Sequence, residues 1–97
     1  MRILKKEVDK PWKVVEIENT LEAMQQAVGG YIETVTYGNA AVICDDEGRL
    51  KGKKYNTSVC GVPFVGDILL VGTKEDDFCD LIQAEVMADL MNGAYKI

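Results

Sequence analysis

The stretch "NTLEAMQQAVGGYIETVTYGNAAVICD", residues 19–45, decides the fold class, because the spacing of its apolar residues changes at a pair of glycines. Before the glycines, three apolar residues recur at helical spacing: Leu21, Met24 and Val28. Asn19 followed by Glu22 is the pattern of a capping box, and the glycines at 29–30 suit a left-handed helix end. We therefore predict a short helix over residues 20–28, with Asn19 as its N-cap.

The residues after the glycines alternate as in a β-strand. "YIETVTY" (31–37) is rich in β-branched and aromatic residues, "GN" (38–39) is a turn pair, and "AAVICD" (40–45) follows as a second strand. Tyr31 and Tyr37 fall on one face of the first strand, so we expect both to be buried or both to be exposed. The segment predicts a β-hairpin directly after the helix.

Three further segments fall outside this central stretch. "MRILKKEV" (1–8) and "WKVVEIE" (12–18) alternate on either side of the turn signal "DKP", which predicts an N-terminal hairpin. "DILLVGT" (67–73) is a short continuous apolar run, as expected of a buried strand. "TSVCGVPFVG" (57–66) contains two glycines and a proline, so we interpret it as a loop.

The segment "DDFCDLIQAEVMADLMNG" (76–93) predicts a closing helix near residues 80–92. Asp77 or Asp80 is the expected cap, since Asp80 with Gln83 repeats the capping-box pattern. Five apolar residues form the expected buried stripe: Ile82, Val86 and Leu90, widened by Met87 and Met91. If this stripe is core, replacing its last member by alanine should cost about 2–5 kcal/mol.

Taken in order, the predicted elements are β-β-α-β-β-(β)-β-α, without an internal repeat or a linker. This order predicts an α+β fold with a mostly antiparallel sheet and two helices packed on one face. We expect a single domain over residues 1–97, since a chain of this length buries a modest core.

Composition excludes several classes of protein. The chain has 16 acidic and 11 basic residues, a net charge of −5, whereas nonspecific nucleic-acid binding normally needs a basic surface. Its apolar runs are far shorter than the roughly 20 residues of a membrane span, and the N-terminus lacks a signal-peptide core. Three widely spaced cysteines, Cys44, Cys60 and Cys79, indicate a reducing compartment. We expect a cytoplasmic protein that contacts neither membrane nor nucleic acid directly.

The chain contains no histidine, which excludes a Ser-His-Asp triad, a Cys-His dyad and histidine-ligated metal within one chain. Two acidic clusters offer oxygen atoms to a hard cation: Asp45, Asp46 and Glu47, and Glu75, Asp76, Asp77 and Asp80. They lack EF-hand spacing, and we interpret them as turn residues and helix caps. We therefore expect no enzymatic activity, no cofactor and no metal site.

Four features in order carry a family resemblance: "LEAMQQAVGGYIETV", "CDDEGRLKGKKYN", "GDILLVG" and an acidic step into a closing helix. Together they resemble the domain of unknown function 3846 family over nearly the whole chain. The resemblance implies a short protein of phages and mobile elements of Gram-positive bacteria, with no catalytic residues to carry over. Asn56 matches the recurring asparagine of the family, and residues 46–49 (Asp-Glu-Gly-Arg) match its acidic-Gly-basic turn. The Pro- and Gly-containing segment 57–66 departs from the family pattern.

Positive charge is concentrated in "EGRLKGKKYNTS" (47–58), where four of the eleven cationic residues occupy positions 49–54. We predict six ligand-binding residues in this basic run: Arg49, Lys51, Lys53, Lys54, Tyr55 and Asn56. We interpret the run as an extended segment or a loop, since Gly48 and Gly52 interrupt any helix. On a strand, Arg49, Lys51 and Lys53 would project to one face about 6.6 Å apart, which suits a phosphate or pyrophosphate. The alternative is a solvated sheet edge on which lysines prevent aggregation. No P-loop or G-x-G-x-x-G accompanies the run.

One cysteine and a set of four aromatic residues are weaker candidates for a functional site. Cys60 in "SVCGVP" is a nucleophile only if a carboxylate or a lysine acts as its base, and the alternative is a small packing residue. Four aromatic residues are candidates for stacking on a planar ligand: Tyr31, Tyr37, Tyr55 and Phe64. We expect Cys44 to be a core residue and Cys79 to be structural.

These observations favour a non-enzymatic binding protein of a phage or mobile element, which captures a small anionic, nucleotide-type ligand for counter-defence. The alternative is an acidic, DNA-mimic-like inhibitor that binds a host defence enzyme through a protein–protein contact. A small enzyme that uses Cys60 is the third interpretation. A free sheet edge would also permit a homo-oligomer.

Overall fold

The computed structural model describes residues 1–93, which contain eight strands and two helices. The strands are β1 (Arg2–Lys6), β2 (Trp12–Glu16), β3 (Ile32–Tyr37), β4 (Ala40–Asp45), β5 (Tyr55–Val59), β6 (Val62–Val65), β7 (Ile68–Lys74) and β8 (Asp77–Cys79). The helices are α1 (Leu21–Val28) and α2 (Ala84–Met91). Neither helix has the length and apolar content that a bilayer crossing would need in the part of the chain described.

The main sheet has the order β2-β1-β7-β4-β3, and β8 pairs with the C-terminal end of β7. Every pair in it is antiparallel. β7 lies at the centre between β1 and β4, and residues 68–71 are buried. A strand covered on both faces has no need of polar alternation, which explains the continuous apolar run in the sequence. β5 and β6 form a separate two-stranded hairpin.

Two hydrophobic cores lie on the two faces of the main sheet, because neighbouring residues of a strand point to opposite sides. The first core joins strand residues to α2: Leu4, Val42, Leu70, Ala84 and Ala88. The second core contains the strand residues next in sequence to those of the first core, Ile3, Ile43 and Leu69. They pack with Met24 and Val28 of α1. The two helices therefore cover opposite faces of the sheet.

The predicted α+β class with an antiparallel sheet is confirmed, but the placement of both helices on one face is wrong. β4 and β7 are apolar on both sides, so each face of the sheet needs a cover. α1 covers one face, and α2 covers the other together with the β5–β6 hairpin, which contributes Val59 and Phe64. The apolar stripe of a helix shows that it packs on a sheet but not on which face.

α1 begins one residue later than the capping box predicts. Thr20 is the N-cap, and its Oγ1 accepts a hydrogen bond from the Ala23 amide at 3.2 Å. Asn19 instead donates from Nδ2 to the Phe78 carbonyl at 3.0 Å, which ties the start of the helix to β8. The predicted glycine end is confirmed, since Gly29 has φ of +81° and its amide donates to the Gln25 carbonyl.

α2 differs more from its prediction. It begins at Ala84 after a left-handed Gln83, without a side-chain cap, because Asp77 lies in β8 and Asp80 accepts a hydrogen bond from the Arg2 amide. The small side chains of Ala84 and Ala88 face the sheet, where they permit close approach of the helix. Three members of the predicted stripe are correspondingly exposed: Ile82 by 77%, Val86 by 46% and Leu90 by 52%. The other two, Met87 and Met91, are partly buried against the first core, as predicted.

Residues 57–66 lie in a β-hairpin, so their interpretation as a loop is wrong. Cys60 and Gly61 form its two-residue turn with φ of +49° and +82°, the left-handed pair that matches the twist of a hairpin. Pro63 is tolerated because β6 pairs with β5 alone, so its missing amide interrupts no second ladder. Glycine and proline here mark a turn and an edge strand.

The different burial of Leu70 and Leu90 predicts unequal costs for two leucine-to-alanine substitutions. Leu70→Ala, in the buried centre of β7, should lower the free energy of unfolding by about 2–5 kcal/mol. Leu90→Ala removes a side chain that is half exposed and should cost less than about 1 kcal/mol. Denaturant unfolding of both variants measures the difference, and equal costs would contradict this assignment of the core.

Candidate functional site

The end of β4 carries a buried carboxylate, that of Asp45, which binds two lysines of the basic run, Lys51 and Lys53. Asp45 is 5% exposed. Its Oδ2 accepts hydrogen bonds from Lys51 Nζ and Lys53 Nζ, each at 2.8 Å, and its Oδ1 accepts one from the Glu47 amide at 2.9 Å. This Asp45–Lys51–Lys53 cluster fixes the segment that connects β4 to β5.

Electrostatics in the cluster favour its charged form. Burial by itself would raise the pKa of Asp45, but the hydrogen bonds from Lys51, Lys53 and the Glu47 amide outweigh burial and hold that pKa far below its ordinary value. The hydrogen bond to Asp45 in turn raises the pKa of Lys51. A buried carboxylate with two lysine partners therefore stays ionised across the physiological range.

The same two lysines bind the C-terminal end of α1. Lys53 Nζ donates to the Val28 carbonyl at 2.7 Å, and Lys51 Nζ donates to the Gly29 carbonyl at 3.1 Å. The last turn of α1 has no basic residue of its own, so these lysines supply the positive charge that a helix C-terminus favours. A Cβ at Gly30 would lie 2.5 Å from Asp45 Oδ1, which explains the second glycine of the pair.

The basic run is a series of turns over residues 46–52. The loop alternative therefore agrees with the structure, whereas the extended segment with Arg49, Lys51 and Lys53 on one face is wrong. Backbone amides of Gly48, Lys51 and Lys53 donate to carbonyls only three to five residues earlier. Because Lys51 and Lys53 must both reach Asp45, the chain folds back on itself. Gly48 and Gly52 are compatible with either an extended segment or a loop, and no local pattern in the sequence distinguishes the two.

Asn56 joins the start of β5 to the end of β1 and to Gly66, the residue after β6. Its Nδ2 donates to the Lys6 carbonyl at 2.8 Å and to the Gly66 carbonyl at 2.7 Å, and its Oδ1 accepts from Lys6 Nζ at 2.9 Å. Every polar atom of the side chain therefore has a partner within the protein. The contacts hold the start of β5 against the end of β1.

The end of the basic run borders a groove of about 390 Å³. Ten residues line the groove: Lys5, Val8, Gln26, Ala27, Val28, Gly29, Lys53, Lys54, Gly66 and Asp67. Lys5 and Lys54 form no ion pair within residues 1–93. Asp67, the one acidic member, uses Oδ1 to accept the Val8 amide at 3.0 Å. We call this site the lysine groove.

Sequence reasoning missed Lys5, which is 49 positions away from Lys54 and lies in β1. Its neighbours Leu4 and Lys6 show only the alternation of a strand. No local pattern indicates that the outer end of β1 meets the base of the β5–β6 hairpin. The two lysines share a groove only because Asn56 and the pairing of β1 with β7 bring those segments together.

Arg49 lies elsewhere, in a second cleft of about 220 Å³ between the turns, β3 and the β5–β6 hairpin. Its Nη2 donates to the Pro63 carbonyl at 3.1 Å. Leu50, Val35 and Phe64 line the same cleft. Three acidic residues also line it: Glu33, Asp45 and Asp46. Of the six predicted ligand-binding residues, Lys51 and Lys53 belong to the cluster, Lys53 and Lys54 line the lysine groove, and Arg49 lines this cleft. Tyr55 and Asn56 line neither the groove nor the cleft.

The aromatic candidates are also dispersed. Tyr55 is exposed, and its hydroxyl shares a hydrogen bond with Ser58 Oγ at 2.9 Å. Tyr31 lies before β3 and is 69% exposed, whereas Tyr37 packs against the first core and its hydroxyl donates to the Val59 carbonyl. Their expected equivalence is therefore wrong. Phe64 is buried in the same core and is not available for stacking on a ligand.

The three cysteines lie in different environments. Cys44 is buried in β4, as predicted, and burial together with the nearby carboxylates of Glu33, Asp45 and Asp46 raises its pKa to about 11. Cys60 is exposed at the hairpin turn, and Cys79 is half-buried in β8. Among residues 1–93 no three cysteine or acidic side chains are placed so that they could share a metal ion.

The Asp45–Lys51–Lys53 cluster predicts a specific dependence of stability on pH. The pKa of Asp45 in the folded protein lies below its unfolded value of about 3.9, so the unfolded chain binds the proton more readily. The stabilisation is therefore complete above that unfolded value and is lost as pH falls towards the folded pKa. Asp45→Asn should cost about 1–3 kcal/mol near neutral pH, because two lysines lose an ionised acceptor.

Urea unfolding at a series of pH values measures this effect. The difference between the wild-type chain and Asp45→Asn should narrow as the solution becomes more acidic than pH ~4, since protonation removes the same charge from the wild-type protein. Asp46→Asn, at an exposed position beside it, provides the control. A constant difference across the whole range would contradict the role of the ionised carboxylate.

Cysteine labelling tests the assignment of the thiols. In a Cys79→Ser background near neutral pH, Cys60 should react with iodoacetamide in the folded protein because it is exposed. Cys44 should react only after unfolding, since it is buried and its raised pKa keeps it protonated. Peptide mass spectrometry distinguishes the two sites, and rapid native labelling of Cys44 would overturn its placement in the core.

Comparison with known proteins finds a match to one family model. No curated protein and no solved structure matches the chain. One family model, described as a domain of unknown function (DUF3846), matches residues 1–92. That match includes every element of the fold, the Asp45–Lys51–Lys53 cluster and the lysine groove. The chain therefore belongs to the DUF3846 family.

Proposed function

We propose that this protein is a non-enzymatic binding protein that captures a small anionic, nucleotide-type ligand in the lysine groove. The observation that carries the proposal is the convergence of Lys5 and Lys54, which come from distant segments, line one groove and form no ion pair within residues 1–93. An ammonium group without a carboxylate partner retains its full capacity to donate to phosphate oxygens.

The groove also has the size and the walls that such a ligand requires. A volume of about 390 Å³ falls within the range of small-molecule sites. Val8 and Ala27 supply apolar surface for a base or sugar, and Gln26 supplies an amide with both donor and acceptor atoms. Lys53 contributes less to the ligand, because its ammonium group already binds Asp45 and the Val28 carbonyl.

This proposal changes the roles within the predicted site. Lys51, Lys53 and Asn56 hold the walls of the groove in place. Lys54 contacts the ligand, and so does Lys5, which was not among the predicted residues. Arg49 borders the second cleft, so it does not contact a ligand bound in the lysine groove. Reversing the charges of Lys51 and Lys53 would break the cluster at Asp45, and loss of binding in that variant would not identify a ligand contact.

Family membership suggests the setting. We propose that the protein acts in the cytoplasm of a bacterial host, where a phage or mobile element would use ligand capture against a nucleotide-based defence signal. The context rests on the family resemblance, and the ligand class rests on the lysine groove.

Titration calorimetry tests the proposal with inorganic pyrophosphate, nucleoside phosphates and cyclic dinucleotides at low and high salt. We expect one class to bind with an affinity that falls as salt is added. Lys5→Ala and Lys54→Ala should each weaken binding several-fold, because each removes one charge-assisted contact at the surface of the groove.

Lys74→Ala is the matched control, since Lys74 is an exposed lysine of β7 that does not line the lysine groove. The affinity of the Lys74→Ala variant for the anion that binds should equal that of the wild-type chain. If none of the anions binds, or if Lys5→Ala and Lys54→Ala bind as tightly as the control, the groove does not have this function.

A further inference from the structure

The two outer strands of the main sheet, β2 and β3, differ in how well they are protected from pairing with a further strand. At β2, Asn92 Oδ1 accepts the Trp12 amide at 2.8 Å, and Asn92 Nδ2 donates to the Trp12 carbonyl at 2.9 Å. Pro11 and Lys13, of residue types that commonly protect sheet edges, lie on either side of Trp12. A further strand would therefore meet occupied backbone groups and a charged side chain at β2.

The outer edge of β3 has none of these protections. The six residues of β3 include no lysine, arginine or proline. Its pairing with β4 is regular along its whole length, without a bulge that would turn the edge away. We call this outer side of β3, residues 32–37, the β3 edge.

The register of the β3–β4 hairpin shows which backbone groups point outward. Tyr37 and Ala40 flank a two-residue turn, so they form a hydrogen-bonded pair, and such pairs alternate along an antiparallel ladder. The bond from the Asp46 amide to the Tyr31 carbonyl, at 2.8 Å, agrees with this alternation. Three residues consequently direct their amides and carbonyls away from β4, without a backbone partner among residues 1–93: Ile32, Thr34 and Thr36.

A second β3 strand fits this edge in one antiparallel register. A pair centred on Thr34 places this residue opposite its own counterpart and Ile32 opposite Thr36, so every outward residue is hydrogen-bonded. Sliding the pair by two residues in either direction leaves an outward residue at the end of each strand without a partner.

The side chains agree with the same register. Glu33 would lie opposite Val35 of the second strand, so no two like charges face each other directly. Tyr31, just before β3, would lie opposite Tyr37. Tyr31 is 69% exposed in the single chain, and an aromatic cross-strand pair would cover part of its ring.

We propose that the β3 edge binds the β3 edge of a second copy of this chain, which gives a two-fold symmetric dimer with one continuous sheet. The protected β2 strands then lie at the two ends of that sheet, so the assembly closes at two copies. An extended segment of another protein could form the same backbone bonds. The self-complementary register, with its Thr34–Thr34 and Tyr31–Tyr37 pairs, favours the second copy.

Disulfide crosslinking tests both the partner and the register. In a Cys60→Ser, Cys79→Ser background, Thr34→Cys should form a disulfide-linked dimer under mild oxidation, because the two Cα atoms would be about 5.5 Å apart. Thr36→Cys is the matched control, at an exposed threonine of the same strand. Its two copies would be offset by about 14 Å along the strands, too far for a disulfide.

Sedimentation equilibrium of the full chain measures the dimer without a crosslink. Thr34→Lys should raise the dissociation constant about fivefold or more, because two lysines would face each other on the two-fold axis. Its circular dichroism should stay that of the wild-type chain, since Thr34 is exposed. Ser58→Lys, at an exposed residue of β5, should not change the dissociation constant. Lys54→Ala should not change it either, because no residue of β3 lines the lysine groove.

Three results would overturn the proposal. The first is a chain that stays monomeric at every concentration measured, and the second is equal crosslinking of the Thr34→Cys and Thr36→Cys variants. The third is a monomeric chain that binds extended peptides of unrelated sequence as tightly as a peptide of residues 31–37, because the β3 edge would then accept a strand from another protein.

Discussion

The ionised carboxylate of Asp45 is the interaction on which the surroundings of the candidate site depend. It is buried at the end of a central strand, where an unpaired charge would be strongly destabilising. Lys51 and Lys53 neutralise it, and the same ammonium groups satisfy the last carbonyls of α1. One cluster thus connects a helix end, a strand end and a connecting segment, and it requires Gly30 to lack a side chain.

This cluster changes the interpretation of the positive charge in the basic run. Four cationic side chains within six residues of an acidic chain suggest a ligand. Two of them, Lys51 and Lys53, instead bind the buried Asp45 carboxylate and the last carbonyls of α1. The same lysines also shape the site proposed for a ligand, because Lys53 and Gly29 form part of the wall of the lysine groove. The residues proposed to contact the ligand are Lys54, at the margin of the run, and Lys5, which lines the same groove.

The arrangement of the two helices has consequences of its own. Because the central strands are apolar on both sides, the sheet needs a layer on each face, and a single chain of this size has few elements to provide them. α1 covers one face, while α2 and the β5–β6 hairpin share the other. α2 packs through Ala84 and Ala88 and, at the margin of the core, through Met87 and Met91, so Val86 and Leu90 remain at the surface. Close approach of the two alanines to the sheet thereby leaves these two side chains on the outer side of the helix.

The sequence by itself determined the α+β class, the hairpin after Gly30, the buried strand at 67–73 and the glycine end of α1, because periodicity and turn residues act over a few positions. Only the tertiary structure decided which face each helix covers, since a stripe of apolar residues is compatible with either face. It also decided that alanines rather than Val86 and Leu90 face the core, because the start of α2 depends on where β8 ends. Likewise, it decided that Lys51 and Lys53 bind the end of α1, 22 and 25 positions away, and that Lys5 and Lys54 line one groove. The shared groove depends on how β1 pairs with β7 and on the contacts of Asn56, which no local pattern in the chain specifies.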